Sequence, residues 1–458
     1  MKIIVCGAGQ VGWQIARHLA RERNDVTVVD NNPALVQRAT DTLDVQGIVG
    51  FASHPTILER AGARDADMVI AATHSDEVNM VTCQVAHSVF GVTRKIARLR
   101  AQSYLERAYS DLFRREHMPI DVIISPEREV SLAAMKRVAY PAAFDVHEYF
   151  GGKALFLGMT LGPDCAVLDT SLRELSDLFP TLRVIVAGIR RGKRLFAPEP
   201  EDQLFVGDQV YVLTDARDVE RCFEVFGRKN TRQERVLVVG GGNVGLSVAQ
   251  MLERAPERVR VKLIEQNRAR AELAADALER SIVLCGDGLD AELLTEAGVS
   301  RTGAVLLLTD DDKTNMLGAV RAKSLGAGMV IALVNDPSLV ALADEIGIDA
   351  FINPRALTVS SILRHVRHGR VRSVYMVGDR EAEVIEAQVL GTSRLTGRAV
   401  RDVQFPEGAL LIGILRKDEF LKPHGSVVLA EGDLVVIFSL TDDVPAVDEL
   451  LQVAVEFF

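Results

Sequence analysis

One repeat constrains this chain more than any other feature. The apolar run Ile3-Ile4-Val5 leads into Gly7-Ala8-Gly9-Gln10-Val11-Gly12. The same arrangement returns as Leu237-Val238-Val239 followed by Gly240-Gly241-Gly242-Asn243-Val244-Gly245, an offset of 233 residues from Gly7 to Gly240. Landmarks downstream keep step, for Ala16 and Leu19 match Ala249 and Leu252. Thr73, Asn79 and Met80 match Thr309, Asn315 and Met316 at an offset of 236, a drift that short loop insertions produce. Such self-similarity organises the whole chain into two copies of one plan.

Within each copy, short β-branched runs alternate with segments of helical period, the pattern of βαβ units and a parallel sheet. The first copy is expected to place strands near Ile3–Val5, Val26–Val29, Gly47–Val49, Met68–Ala71, Lys95–Leu99 and Val122–Ile124. The second should place them near Val236–Val239, Lys262–Ile264, Ile282–Leu284, Ala304–Leu308, Val330–Val334 and Ala350–Ile352. After each copy Gly, Pro and charge rise and short strands dominate, so each Rossmann-type unit is followed by a small α+β domain. In these domains Val206-Gly207-Asp208-Gln209-Val210-Tyr211-Val212 parallels Glu431-Gly432-Asp433-Leu434-Val435-Val436-Ile437, and each Gly-Asp reads as a hairpin turn between two strands. The fold class is therefore α/β, two tandem parallel-sheet domains each followed by a small α+β domain. The expected boundaries are 1–136, 140–227, 233–364 and 372–454, with linkers near Arg137–Phe144, Arg228–Glu234 and His365–Arg372.

Composition narrows the function. A chain of 458 residues with 48% hydrophobic content is too long for one ordinary core. A formal net charge of −10 disfavours a free-standing nucleic-acid binder, which needs an excess of Lys and Arg on some face. Cys6, Cys83, Cys165, Cys222 and Cys285 show no metal-ligand spacing and are expected to be small buried residues of a reduced compartment. No run approaches the roughly 18–20 apolar residues that span a bilayer, and no secretion signal is visible. A membrane role would thus work through a partner.

The glycine motifs carry the clearest chemistry, because phosphates sit on a helix N-terminus only where the backbone is bare enough to come close. The bland alternative is that these glycines only make a tight strand-to-helix turn. A ribose partner is expected at the end of the second strand, where Asp30 and Glu265 stand. An ionised carboxylate there accepts from two ribose hydroxyls and repels a 2′-phosphate, so each site should prefer NAD(H) or an adenine nucleotide to NADP; helix capping is the competing role. After the third strand, Asp287 has the means to accept from an adenine amino group, whereas Phe51 at the corresponding place is suited only to stacking. Arg98 could reach phosphates from the end of the fifth strand, or serve as an ordinary surface arginine. The second copy has only apolar residues there, in Ile331-Ala332-Leu333-Val334. Thr73 and Thr309 close the fourth strands, where each either faces the ligand or caps the next helix.

The double arrangement, together with Ala72-Thr73-His74-Ser75-Asp76-Glu77-Val78-Asn79-Met80 and Thr309-Asp310-Asp311-Asp312-Lys313-Thr314-Asn315-Met316, resembles the TrkA family, peripheral subunits of bacterial Trk potassium uptake systems, built from RCK domains. The resemblance runs essentially end to end, including Ile124-Ser125-Pro126-Glu127 and the terminal Phe457-Phe458. It implies a cytoplasmic protein, peripheral at the inner face of the membrane, that assembles as a dimer, tetramer or ring under a potassium-translocating membrane subunit of Trk type. NAD(H), or ATP and ADP, would bias that subunit's gate. The family's ligand positions fall on Gly7, Gly9, Gly12, Asp30, Thr73 and Arg98 in the first copy, with Gln10 and Val11 in the loop. In the second they fall on Gly240, Gly242, Gly245, Glu265, Asp287 and Thr309, with Asn243 and Val244.

The rival is an NAD-dependent oxidoreductase, the commonest owner of such a fingerprint. It needs a proton-transfer residue and a substrate anchor opposite the nicotinamide, and none of the nine histidines forms a visible constellation with an acid. No catalytic residue and no metal site is therefore expected. A scaffold with dead sites is a third class. The basic stretch Arg364-His365-x-Arg367-His368-x-Arg370-x-Arg372 reads as a solvated linker or as a contact with a partner or an anionic membrane surface.

Overall fold

The parallel sheet of the first copy forms from β1 (Lys2–Cys6), β2 (Asp25–Asp30), β3 (Gln46–Val49), β4 (Met68–Ala71), β5 (Arg94–Arg98) and β6 (Val122–Ile124), in the order β3-β2-β1-β4-β5-β6. This is seen in a computed structural model that describes residues 1–21, 24–231, 233–255, 259–336, 338–339, 342, 346–366, 371–378 and 381–451. An antiparallel sheet follows, made of β7 (Asp145–Tyr149), β8 (Ala154–Thr160), β9 (Val184–Arg191), β10 (Arg194–Phe196) and β11 (Gln209–Asp215), in the order β10-β9-β11-β8-β7. The plan then repeats. β12 (Arg235–Val239), β13 (Arg260–Glu265), β14 (Ile282–Cys285), β15 (Ala304–Leu307), β16 (Met329–Leu333) and β17 (Ala350–Ile352) order as β14-β13-β12-β15-β16-β17. Last come β18 (Val371–Val377), β19 (Ala382–Gln388), β20 (Ala409–Arg416), β21 (Glu419–Leu421) and β22 (Leu434–Leu440), ordered β18-β19-β22-β20-β21. Every strand expected in the two parallel sheets is present within one or two residues.

Met1–Val130 with Asn353–Val366 form one compact unit, and the remaining described residues form the other. In the first, the helix Pro354–Val366 packs against the helix Gln10–Arg21 and against β6, and Ser361 Oγ donates to Glu129 Oε1 at 3.1 Å. In the second, Ser131, on the helix Pro126–Ala139, donates to the carbonyl of Val244 at 3.5 Å. Each glycine-loop helix is thus met by the crossover helix that follows the other copy's sheet.

The parallel sheets carry their own cores. Val69, Cys6 and Leu58 are buried in the first and Val305, Leu307 and Ala332 in the second. The antiparallel sheets differ, because their strands are buried on both faces. Leu155, Leu157 and Val212 point into one core with Phe223, while the alternating Phe156, Tyr211 and Leu213 point into a core shared with Val384, Ile412, Val436 and Phe438. That shared core is reciprocal. A Cβ on Gly188 of β9 would lie 2.8 Å from the Phe438 ring, and one on Gly413, the equivalent place in β20, would lie 2.5 Å from Leu213. Likewise Tyr375 of β18 donates to Asp145 at 2.5 Å, and its counterpart His147 of β7, stacked on Tyr375 at 4.5 Å, sits 3.5 Å from Ser373 Oγ. Self-complementary contacts of this kind are the signature of a twofold interface, here built inside one chain.

Three expectations are corrected. Gly207-Asp208 and Gly432-Asp433 do not join two strands; each turns a loop into β11 or β22, and the tight hairpins lie at Gly192 and at Lys417-Asp418, where φ is positive. The aspartates instead receive bidentate bonds, Asp208 from Arg191 at 3.0 and 2.8 Å and Asp433 from Arg416 at 2.8 and 2.6 Å. Four cysteines are buried as expected, but Cys285 is exposed, because it ends an edge strand with no neighbour beyond it. The linker expected from Arg137 starts only after the helix ends at Ala139. Arg232, most of the linker and basic stretch at 367–370, and Phe457-Phe458 lie outside the described residues.

Candidate functional site

In a parallel sheet of this order the crevice opens where the strand order reverses, at the carboxyl ends of β1 and β4 in the first copy and of β12 and β15 in the second. The glycine loops sit there. Gly7 has φ +106, and a Cβ on Gly12 would lie 1.7 Å from the Gly7 carbonyl oxygen; Gly240 has φ +104, and the Gly245 contact would be 1.9 Å. These glycines are demanded by the turn itself. Gly9 and Gly242 are not, for a Cβ on either meets nothing within 4 Å and Gly242 has an ordinary extended conformation, φ −68 and ψ −175. Their bareness keeps space open in front of the helix rather than making the turn. No side chain caps the start of the helix Asn243–Arg254, and neither glycine-loop helix has an acid in its first turn. Gln10, Val11, Asn243 and Val244 therefore stand at helix starts whose amide dipoles face that space.

The two acids hold these loops. Asp30 accepts from Ala8 N at 2.6 Å and Asn32 N at 2.8 Å; Glu265 accepts from Gly241 N at 2.7 Å and Asn267 N at 2.8 Å. Neither is a helix cap, since Asn32 and Asn267 cap the helices that follow. A carboxylate oxygen has more than one acceptor direction, so each acid can hold its loop and still meet a ribose hydroxyl.

Thr73 and Thr309 turn out to be tied inward. The amide and hydroxyl of Thr73 both donate to Asn79 Oδ1, at 2.9 and 2.7 Å, and those of Thr309 to Asn315 Oδ1, at 3.0 and 2.7 Å. Ser75 and Asp311, not the threonines, cap the next helices. Asn79 also donates to the Arg98 carbonyl at 2.8 Å, and Asn315 to the Leu333 carbonyl at 2.9 Å. One buried asparagine per copy thus clamps the ends of two neighbouring strands. Asp76 does the same for the amides of Arg100 and Ala101, and Asp312 for those of Asn335 and Asp336. Sequence reasoning used Asn79 and Asn315 only as repeat landmarks; their identical spacing from the threonines was the available signal.

These clamps fix the equivalences that matter. Arg98 corresponds to Leu333 and Arg100 to Asn335. Gly7, Ala72 and Arg98 follow the strand register Cys6–Ala71–Ala97, which puts the Arg98 backbone about 10 Å from Gly7 at normal strand spacing. Arg98 Nε is buried with no hydrogen-bond partner among the described residues. Burial, with the charge of Arg100 beside it, pushes its guanidinium below the ordinary value, against the pull of Glu127 and Asp76. A half-buried guanidinium whose Nε has no acceptor is an incomplete site. Phe51 is exposed after β3, and Asp287 is exposed at its counterpart, accepting from Leu289 N at 2.9 Å. Among the described residues no cluster of His, Cys, Asp or Glu could hold a metal ion, and no helix is long and apolar enough to cross a membrane.

Comparison with known proteins follows the same outline. The TrkA-N domain matches residues 3–126 and 236–354, and the TrkA-C domain residues 157–227 and 384–452. The Trk system potassium uptake protein TrkA of Azorhizobium caulinodans is 45% identical over 458 residues, covering 100% of both chains. Solved structures of the GsuK RCK domain and of the GsuK channel bound to NAD each align with TM-score 0.60 over 98% of this chain, and 94% and 78% of theirs, at 16% identity. They share the fold of two tandem RCK units. The oxidoreductase alternative is set aside, for the full-length likeness is to potassium uptake proteins and not to enzymes. The chain belongs to the TrkA family.

Proposed function

We propose that this chain is a non-catalytic nucleotide sensor, lying peripherally on the inner face of the membrane, that gates a potassium-translocating subunit of Trk type. The observation that carries it is Arg98, a half-buried cation with an unpartnered Nε beside a helix start kept bare by Gly9. A phosphate placed between them completes both groups. NAD(H), or ATP and ADP, are the ligands suited to a crevice with Asp30 at its ribose end, and a fold neighbour's description as bound to NAD supports that class. The boundaries 1–136, 140–227, 233–364 and 372–454 describe the functional modules, and the likeness to RCK structures supports assembly into a dimer or larger ring.

A bound ligand can move a gate only by favouring one arrangement over another. Potassium flux through the reconstituted membrane subunit should therefore depend on this protein and on nucleotide together. Arg98→Ala should weaken nucleotide binding by ~10- to 100-fold, the loss of one charge-assisted bond, and shift the flux response to higher nucleotide concentration. Flux that ignores this protein under NADH, ATP and ADP alike would sink the proposal.

A further inference from the structure

The two crevices differ residue by residue, and the differences sort along the length of a bound nucleotide. At the phosphate end, Arg98 and Arg100 of the first copy, the latter paired with Glu127 at 3.1 Å, give way to Leu333 and Asn335. Leu333 is buried and Asn335 donates its side-chain amide to Asp312 at 2.9 Å, so neither offers a cation. The turns that follow β4 and β15, His74-Ser75-Asp76-Glu77 and Asp310-Asp311-Asp312-Lys313, carry equal formal charge and do not make good that loss. Arg270 is already paired with Glu265 at 3.3 Å. At the base end the gain runs the other way. Phe51, tilted against His54 with ring centres 5.4 Å apart, offers only a face, whereas exposed Asp287 commits one carboxylate oxygen to Leu289 N and presents an acceptor.

Resting on the nucleotide proposal above, we infer that the second crevice selects the nucleoside end of its ligand, an adenosine compound with no more than one phosphate, while the first takes phosphate-rich nucleotides. Ribose hydroxyls donate to Glu265 and the adenine amino group to Asp287, contacts indifferent to phosphate number. The uncapped helix start at Asn243 carries a partial positive charge suited to one phosphate. Each further phosphate meets Leu333 without a counter-charge and is expelled by its own desolvation.

The structure supplies tools to separate the sites. A Cβ at Gly9 or at Gly242 meets nothing within 4 Å, so a leucine there starts without a clash and is intended to fill the ligand's place. AMP, ADP and ATP are titrated calorimetrically into the full chain, into Gly9→Leu, which leaves the second crevice, and into Gly242→Leu, which leaves the first. Affinity in Gly242→Leu should climb roughly tenfold or more from AMP to ATP; in Gly9→Leu it should stay level or fall. Adding Asn335→Arg to Gly9→Leu should restore a climb with phosphate number, and this half-buried position keeps the test independent of any change at Leu333. A climb in Gly9→Leu as steep as in Gly242→Leu would overturn the inference and leave the sensor proposal standing. So would binding of no adenosine compound in Gly9→Leu when Gly242→Leu still binds. Absence of binding in the unaltered chain as well would sink both.

Discussion

The parallel sheets and the antiparallel sheets use the same duplication in opposite ways. Each parallel sheet keeps its own core and its own clamp, Asn79 in one and Asn315 in the other, so the copies were free to diverge at Arg98 and Leu333. The antiparallel sheets share one core, in which Phe438 fits over Gly188 and Leu213 over Gly413. Divergence there must be matched across the contact. Duplication that leaves cores separate yields two different sites; duplication that fuses cores yields one packed core.

The sharpest way to break this comparison is Asn79→Ala. The asparagine is fully buried and makes four hydrogen bonds that join β4 to β5, and orphaning several polar groups should destabilise that sheet by about 3 kcal/mol. Hydrogen exchange should speed up in β4 and β5 while β15 and β16 keep their protection. Loss of protection in all four strands would show that the parallel sheets are not independent. A smaller effect is expected from Gly413→Leu, where overpacking against Leu213 and Phe420 should destabilise by about 2 kcal/mol. Here exchange should rise in β8 and β11 as well as in β20 and β22; a change confined to β20 and β22 would mean that the core is not shared.

The smallest effect is a pH response of the shared core. Burial first, and then the charge of Asp145, pushes the Tyr211 phenol up to about 12 and also raises that of Tyr375. Both stay neutral in the folded chain when an unfolded tyrosine would ionise near 10, so their contribution is complete below about pH 10 and is lost as pH rises beyond it. Stability should fall by about 1 kcal/mol near pH 11 through Tyr211 alone. Chemical denaturation of Tyr211→Phe across pH 8 to 11 should show a shallower alkaline decline, and an unchanged decline would remove the phenol from that response.

Local signals explain what the sequence revealed. Strand period, glycine spacing and the acid after the second strand are read over a few residues, and all three placed β1, β2 and the loop between them correctly. The contacts that escaped are those between distant segments. Nothing local says that Asn79 reaches the Arg98 carbonyl, nineteen residues away, or that Tyr375 meets Asp145. The shared core did leave a trace. Val210-Tyr211-Val212-Leu213 and Val435-Val436-Ile437-Phe438 are apolar without alternation, which in an antiparallel strand means burial on both faces. The Gly-Asp turns depart from expectation for the opposite reason: the dipeptide has a strong local meaning, but Arg191 and Arg416 use the aspartates to close loops instead.

The crossover helices carry one more consequence. Because Asn353–Val366 belong with Met1–Val130, no single cut releases a complete half of this protein. A chain severed between Arg228 and Glu234 leaves the fragment holding β1 to β11 without the helix Pro354–Val366 that covers β6 and the helix Gln10–Arg21. The other fragment loses the helix that brings Ser131 to Val244. Each piece would lack a segment carried only by its sister. The two copies thus exchange the helices that follow their parallel sheets, and a split gene would have to express both parts at once to give each glycine-loop helix its partner.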